Sequence, residues 1–118
     1  MMGDRELLEL AAKAAGISGG WGDKIEYHNG AVDLRDVWIL EGDDFVPWNP
    51  LTDDGDALRL AVELGLSARR FGNLIEVCGA KAGGAHGLIL DEPIGDDGVL
   101  AAYRRGFTRA AAEIGRAM

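Results

Sequence analysis

At 118 residues, 47% apolar and 27% charged, the chain has the size of one domain and is too hydrophobic for a disordered segment. A net charge of −8 repels duplex nucleic acid and anionic membrane at long range, and no apolar run approaches the roughly 20 residues of a membrane span. Cys78 is the single cysteine and Met1–Glu6 lacks the pattern of a secretory signal, so a cytoplasmic protein folding as one domain over residues 1–118 is expected, without disulfides.

The first predicted element is a helix capped by Asp4, with Leu7, Leu8, Ala11 and Ala15 on one face and Gly16 at its left-handed end. Gly19-Gly20 breaks the chain, and Trp21 follows as a loop anchor. Residues 24–35 read as a hairpin around Asn29-Gly30, a type I′ turn signal. Val37–Leu40 is β-favouring, residues 41–44 turn, and Phe45-Val46 resume extended backbone before Pro47 and Pro50 force an irregular passage through Trp48. Asp53 or Asp54 caps a second helix, with Leu58, Ala61 and Val62 as its apolar stripe, an Arg59–Glu63 pair on its surface, and Gly65 at its end.

Residues 66–71, 74–79 and 87–91 form three further strands, joined by Gly72-Asn73 and by a loose loop from Gly79 to Gly87. A closing helix starts at Asp96 or Asp97, with Leu100, Tyr103, Phe107, Ala111 and Ile114 recurring at helical spacing. The order implies an α+β fold, a mostly antiparallel sheet with helices on both faces.

The arginines are the first candidates for ligand contacts. Arg105, Arg109 and Arg116 share one flank of the last helix, and Arg104 lies further round the exposed side. Arg69 and Arg70 precede Phe71 in a strand, so each sheet face receives one of them. A guanidinium grips phosphate in bidentate fashion and an adjacent ring stacks on a base, whereas the plain alternative is a solvated helix face with Glu113 balancing Arg109. Of the tryptophans, Trp38 is expected in the core, and Trp48 presents a rigid ring from its Pro-bounded loop.

Asp53-Asp54-Gly55-Asp56 lacks the alternating ligands of a calcium loop and is read as helix capping. His28 and His86 have no partner at metal-ligand spacing, and Cys78 in its apolar run is a small core residue. Ser18 and Ser67 sit in no nucleophile-elbow context. Residues 79–84 miss the ending of a phosphate loop, although Lys81 could clamp an anion. No catalytic residue, metal site or cofactor is therefore expected.

Three segments, residues 4–17, the central Trp48-Asn49-Pro50-Leu51-Thr52-Asp53-Asp54-Gly55-Asp56 running on to Val62, and residues 109–118, resemble the phage ABA sandwich family of small phage and prophage proteins. Gly106 in the last helix and the Gly79–Gly87 stretch depart from that pattern. The resemblance implies helices on both faces of a sheet. It further suggests similarity to the Thoeris anti-defence sponges, oligomeric proteins that sequester nucleotide second messengers without cleaving them.

On this reading the protein is a phage-encoded homo-oligomer in the infected bacterium's cytoplasm. It binds a cyclic ADP-ribose isomer or a cyclic oligonucleotide made by a defence such as Thoeris or CBASS. Arg69, Arg70, Arg105 and Arg109 would take phosphates, Phe71 or Trp48 would stack on a base, and Asn73 would hydrogen-bond a base edge or ribose. The alternatives are a module that binds a host or phage protein through an exposed aromatic patch, and a cyclic-nucleotide-cleaving enzyme.

Overall fold

The computed structural model describes residues 3–22, 25–26, 32–33, 37–41, 46–80 and 85–118. Its elements are α1 (Asp4–Ala15), β1 (Gly19–Gly22), β2 (Ile25–Glu26), β3 (Val32–Asp33), β4 (Val37–Leu40), β5 (Val46–Trp48), α2 (Asp54–Leu64), β6 (Ser67–Phe71), β7 (Leu74–Ala80), β8 (His86–Pro93) and α3 (Val99–Arg116). The fold is α+β, as expected, and every strand pairing is antiparallel. The strands form two three-stranded sheets, β1–β4–β5 and β6–β7–β8, and the two-stranded ribbon β2–β3.

The ribbon is the expected hairpin, with Ile25 opposite Asp33 and Glu26 opposite Val32. Its Asn29-Gly30 turn lies outside the described residues, as do Phe45, His28 and Lys81. The Gly19-Gly20 break is instead the start of a strand, which places Trp21 opposite Trp38. Pro47 does not exclude β structure either, because among the described residues β5 pairs on one side only, with β4, and proline is tolerated on such an edge. Trp48 is thereby set opposite Trp38, and the three indoles stack edge to face at centroid distances of 6.0 and 6.5 Å.

Helices α1 and α2 end as predicted, at Gly16 (φ 67°) and Gly65 (φ 64°). Their starts differ from each other. Asp53 caps α2 by accepting a 2.8 Å hydrogen bond from the Asp56 amide, whereas Gly3, not Asp4, is the N-cap of α1. Helix α3 starts after Gly98, and Asp97 faces Arg105 instead of capping it.

The apolar stripes also need correction. In α2 the buried side is Ala57, Leu60 and Ala61, while Leu58 and Val62 point to solvent, and Arg59 pairs with Asp56 at 2.7 Å instead of with Glu63. In α3 Leu100 is exposed, and the buried residues are small: Ala101, Ala102, Gly106, Ala110, Ala111, Ala112 and Gly115, with Thr108. Small residues let helix axes approach closely, so here the contact surface is made by what is missing from the side chains. A Cβ on Gly115 would run into the Leu10 carbonyl of α1, and one on Gly106 would come within 3.0 Å of Val77 Cγ2 in β7.

One core cluster joins Leu8, Ala11 and Ala12 of α1 to Trp38, Trp48, Leu60 and Ala111. The other seats α3 on the β6–β7–β8 sheet, through Ile75 and Val77 against Ala102 and Ala110. Helix α3 belongs to both and so fixes the position of everything on its exposed flank.

Candidate functional site

Arg105, Arg109 and Arg116 recur at helical spacing along α3, so they leave the helix on the same side. Opposite them, Glu92 is aligned with Ile75 on the inward face of the sheet and is only 2% exposed. A carboxylate removed from water this far must be paired, and it is. Arg109 Nη1 donates to Oε2 at 2.8 Å and to Oε1 at 3.2 Å, and Arg105 Nε donates to Oε1 at 3.3 Å. Arg105 also bridges to Asp97 and donates from Nη2 to the Pro93 carbonyl at 3.3 Å. Arg116 pairs with Glu113 at 3.6 Å, so Glu113 balances it instead of Arg109.

Beside this cluster lies an open groove of about 800 Å³. Its walls are Glu6 and Leu7 of α1, Pro93 and Gly95 at the end of β8, and Arg105, Arg109, Glu113 and Arg116 of α3. Three guanidinium groups thus face three carboxylates. The balance is uneven in kind, however: Glu92 is locked inside, whereas Glu6 and Glu113 are surface side chains free to swing away. Among the described residues, Arg109 Nε and Nη2 have no hydrogen-bond partner, so a guanidinium already oriented by Glu92 keeps donors for an incoming anion.

The other arginines are elsewhere. Arg69 and Arg70 alternate on β6 as expected. Arg69 pairs with Glu76 at 3.3 Å and lies 5.7 Å from the Phe71 ring centroid, and Arg70 Nε donates to the Gly72 carbonyl at 3.3 Å. Neither they nor Phe71 line the groove. Asn73 is nearer: its carbonyl accepts from the Ile94 amide at 2.8 Å, which ties the β6–β7 turn to the groove's rim. Arg104 is structural, with Nε on the Leu51 carbonyl at 3.0 Å and Nη1 on Asp54 at 2.6 Å.

Trp48 is not a presented ring. At 3% exposure it is a core residue, and it lines the inner side of a second depression of about 490 Å³ together with Arg59 and Leu60. The crevice lined by both guanidinium groups and rings, expected from sequence, is therefore not assembled among the described residues, none of whose aromatic side chains lines the arginine groove. What sequence reasoning missed is Glu92. A signal existed, since two arginines one turn apart on a helix packed against a strand call for one inward carboxylate.

The acidic run after Trp48 is accounted for by capping. Asp56, buried, accepts from the Asn49 amide at 2.9 Å and from Arg59, and Asn49 Oδ1 accepts from the Leu51 amide at 3.0 Å. Among the described residues no three His, Cys, Asp or Glu side chains group as metal ligands. Cys78 is half-buried on the sheet face turned away from α3, not in the core. Among the described residues no helix is long and apolar enough to cross a membrane. Comparison with protein-family models, curated proteins and solved structures gave no match.

Proposed function

We propose that the protein is a non-catalytic binding protein for a phosphate-bearing small molecule, taken up in the groove between α1, α3 and the end of β8. The observation that carries this reading is the attachment of Arg105 and Arg109 to one buried carboxylate, with Arg116 beside them on the same groove. Glu92 holds the two guanidiniums in place before any ligand arrives, so less side-chain entropy is lost on binding. The acidic surface elsewhere does not oppose this, because phosphate capture depends on local donors.

The nucleotide second messengers of anti-phage defence are the ligand class to test first. They carry phosphates, and the three segments that resemble small phage proteins favour a phage-encoded sponge in the cytoplasm of an infected bacterium. The backbone bond from the Ile94 amide to the Asn73 carbonyl brings Asn73 near the groove, which supports a polar contact from it to the ligand. Capture without turnover is the proposed mechanism.

Isothermal calorimetry of the purified protein with cyclic ADP-ribose isomers and cyclic dinucleotides tests the proposal. Binding of at least one, recovery of that ligand intact after heat denaturation, and weakening of about tenfold or more in Arg109→Ala are expected. Absence of heat across the panel, or binding indifferent to Arg109→Ala, would rule it out.

A further inference from the structure

The β6–β7–β8 sheet has a second face. Helix α3 covers the side of Ile75 and Val77, whereas Phe71 (63% exposed) and Leu88 (42%) stand on the other side. The strand register groups that outer face into three rows: Phe71, Leu74 and Pro93; Arg69, Glu76 and Asp91; Ser67, Cys78 and Leu88. The charged row is flanked by an apolar row and by one that carries Ser67 beside Cys78 and Leu88, and large apolar side chains left in water in this way mark an interaction surface.

The charged row shows what fits. Its cation, Arg69, lies on β6, and its anion, Asp91, lies on β8, at opposite flanks of the central strand β7. We infer that this face binds a second copy of the chain, about a two-fold axis parallel to β7. Such an axis keeps every residue in its row and exchanges the flanks. Arg69 then meets Asp91 of the second copy at two symmetric places, Phe71 meets Pro93, and Leu74 meets itself. An axis across the strands and through the charged row would set Arg69 against Arg69.

The one like-charged meeting, Glu76 with Glu76, is already compensated, because each is paired with its own Arg69 at 3.3 Å. Two sheets stacked about 10 Å apart with their strands roughly aligned are a common packing. Three strands make a small patch by the standard of roughly 800 Å² per partner, so the dimer is expected to be concentration-dependent, with a Kd of roughly micromolar order.

Sedimentation velocity over about a hundredfold concentration range spanning the micromolar region tests this. A reversible dimer is expected. Phe71→Asp should weaken it about tenfold or more, and Arg69→Glu or Asp91→Arg alone should also weaken it. The charge-swapped double variant should recover most of the loss, since its new Arg pairs with Glu76 in place of the old one. All three substitutions fall at exposed positions, and an unchanged thermal midpoint confirms that each variant is folded.

Alkylation of Cys78, which lies on the buried side of such a dimer, should slow as concentration rises, and Phe71→Asp should remove that dependence. A monomer at every concentration, the outcome if the face serves a different protein, overturns the inference. So does a dimer indifferent to Phe71→Asp, or a double variant no better than its singles. None of these readouts involves the groove arginines, so a failure here is distinct from a failure of ligand binding.

Discussion

Two of the four arginines of α3, Arg105 and Arg109, and the two of β6, Arg69 and Arg70, are held in different ways. Arg105 and Arg109 converge on a carboxylate that water does not reach, whereas Arg69 pairs across the sheet surface with Glu76 and Arg70 donates to a turn carbonyl. The first pair is positioned by necessity, because a buried Glu92 without them would be an uncompensated charge. The second pair is positioned by weak, screened contacts that cost side-chain entropy to maintain. Placement of a charge thus follows the burial of its partner, not the clustering of its own kind.

The largest effect should come from removing both inner partners. Arg105→Ala with Arg109→Ala is expected to cost roughly 3–5 kcal/mol in urea denaturation, because Glu92 is then buried alone. If the loss were below 1 kcal/mol on the scale of a surface pair, the contrast would collapse. Gly115→Ala comes next. Its methyl would force α1 and α3 apart at the Leu10 carbonyl, at about 2–3 kcal/mol, and would move the arginine flank with the helix. Arg104→Ala is an intermediate case, with one backbone carbonyl and one exposed carboxylate lost, and about 1 kcal/mol is expected by thermal denaturation. Arg69→Ala should be nearly silent, within about 0.5 kcal/mol at low protein concentration, and less still in high salt. That graded series would sharpen the rule that partner burial decides.

Much of the fold was legible in the sequence: three helices, two glycine stops, a hairpin and three final strands follow from periodicity and turn chemistry. The flank of Arg105, Arg109 and Arg116 was legible too, because helical spacing alone places them together. Legibility failed where side chains are small or pairing is long-range. In α3 the buried surface is mostly Ala and Gly, which carry little hydropathy signal, so periodicity points to Leu100 and not to Gly115. Trp48 reads as a loop residue because of its proline neighbours, whereas β5 is an edge that accepts Pro47. Glu92 was passed over because a charged residue in a strand reads as outward until the register with Ile75 is known.

The contact between α1 and α3 has a consequence for synthesis. The two helices run side by side in the same direction, Leu10 against Gly115 and the Lys13 ammonium against the Met118 carbonyl at 3.4 Å, across a separation of 105 residues. A nascent chain emerging from the ribosome therefore exposes Leu7, Leu8, Ala11 and Ala12 until α3 has been made. Contacts so distant in sequence make folding slow, and the interval before α3 is made is when the chain most needs a chaperone.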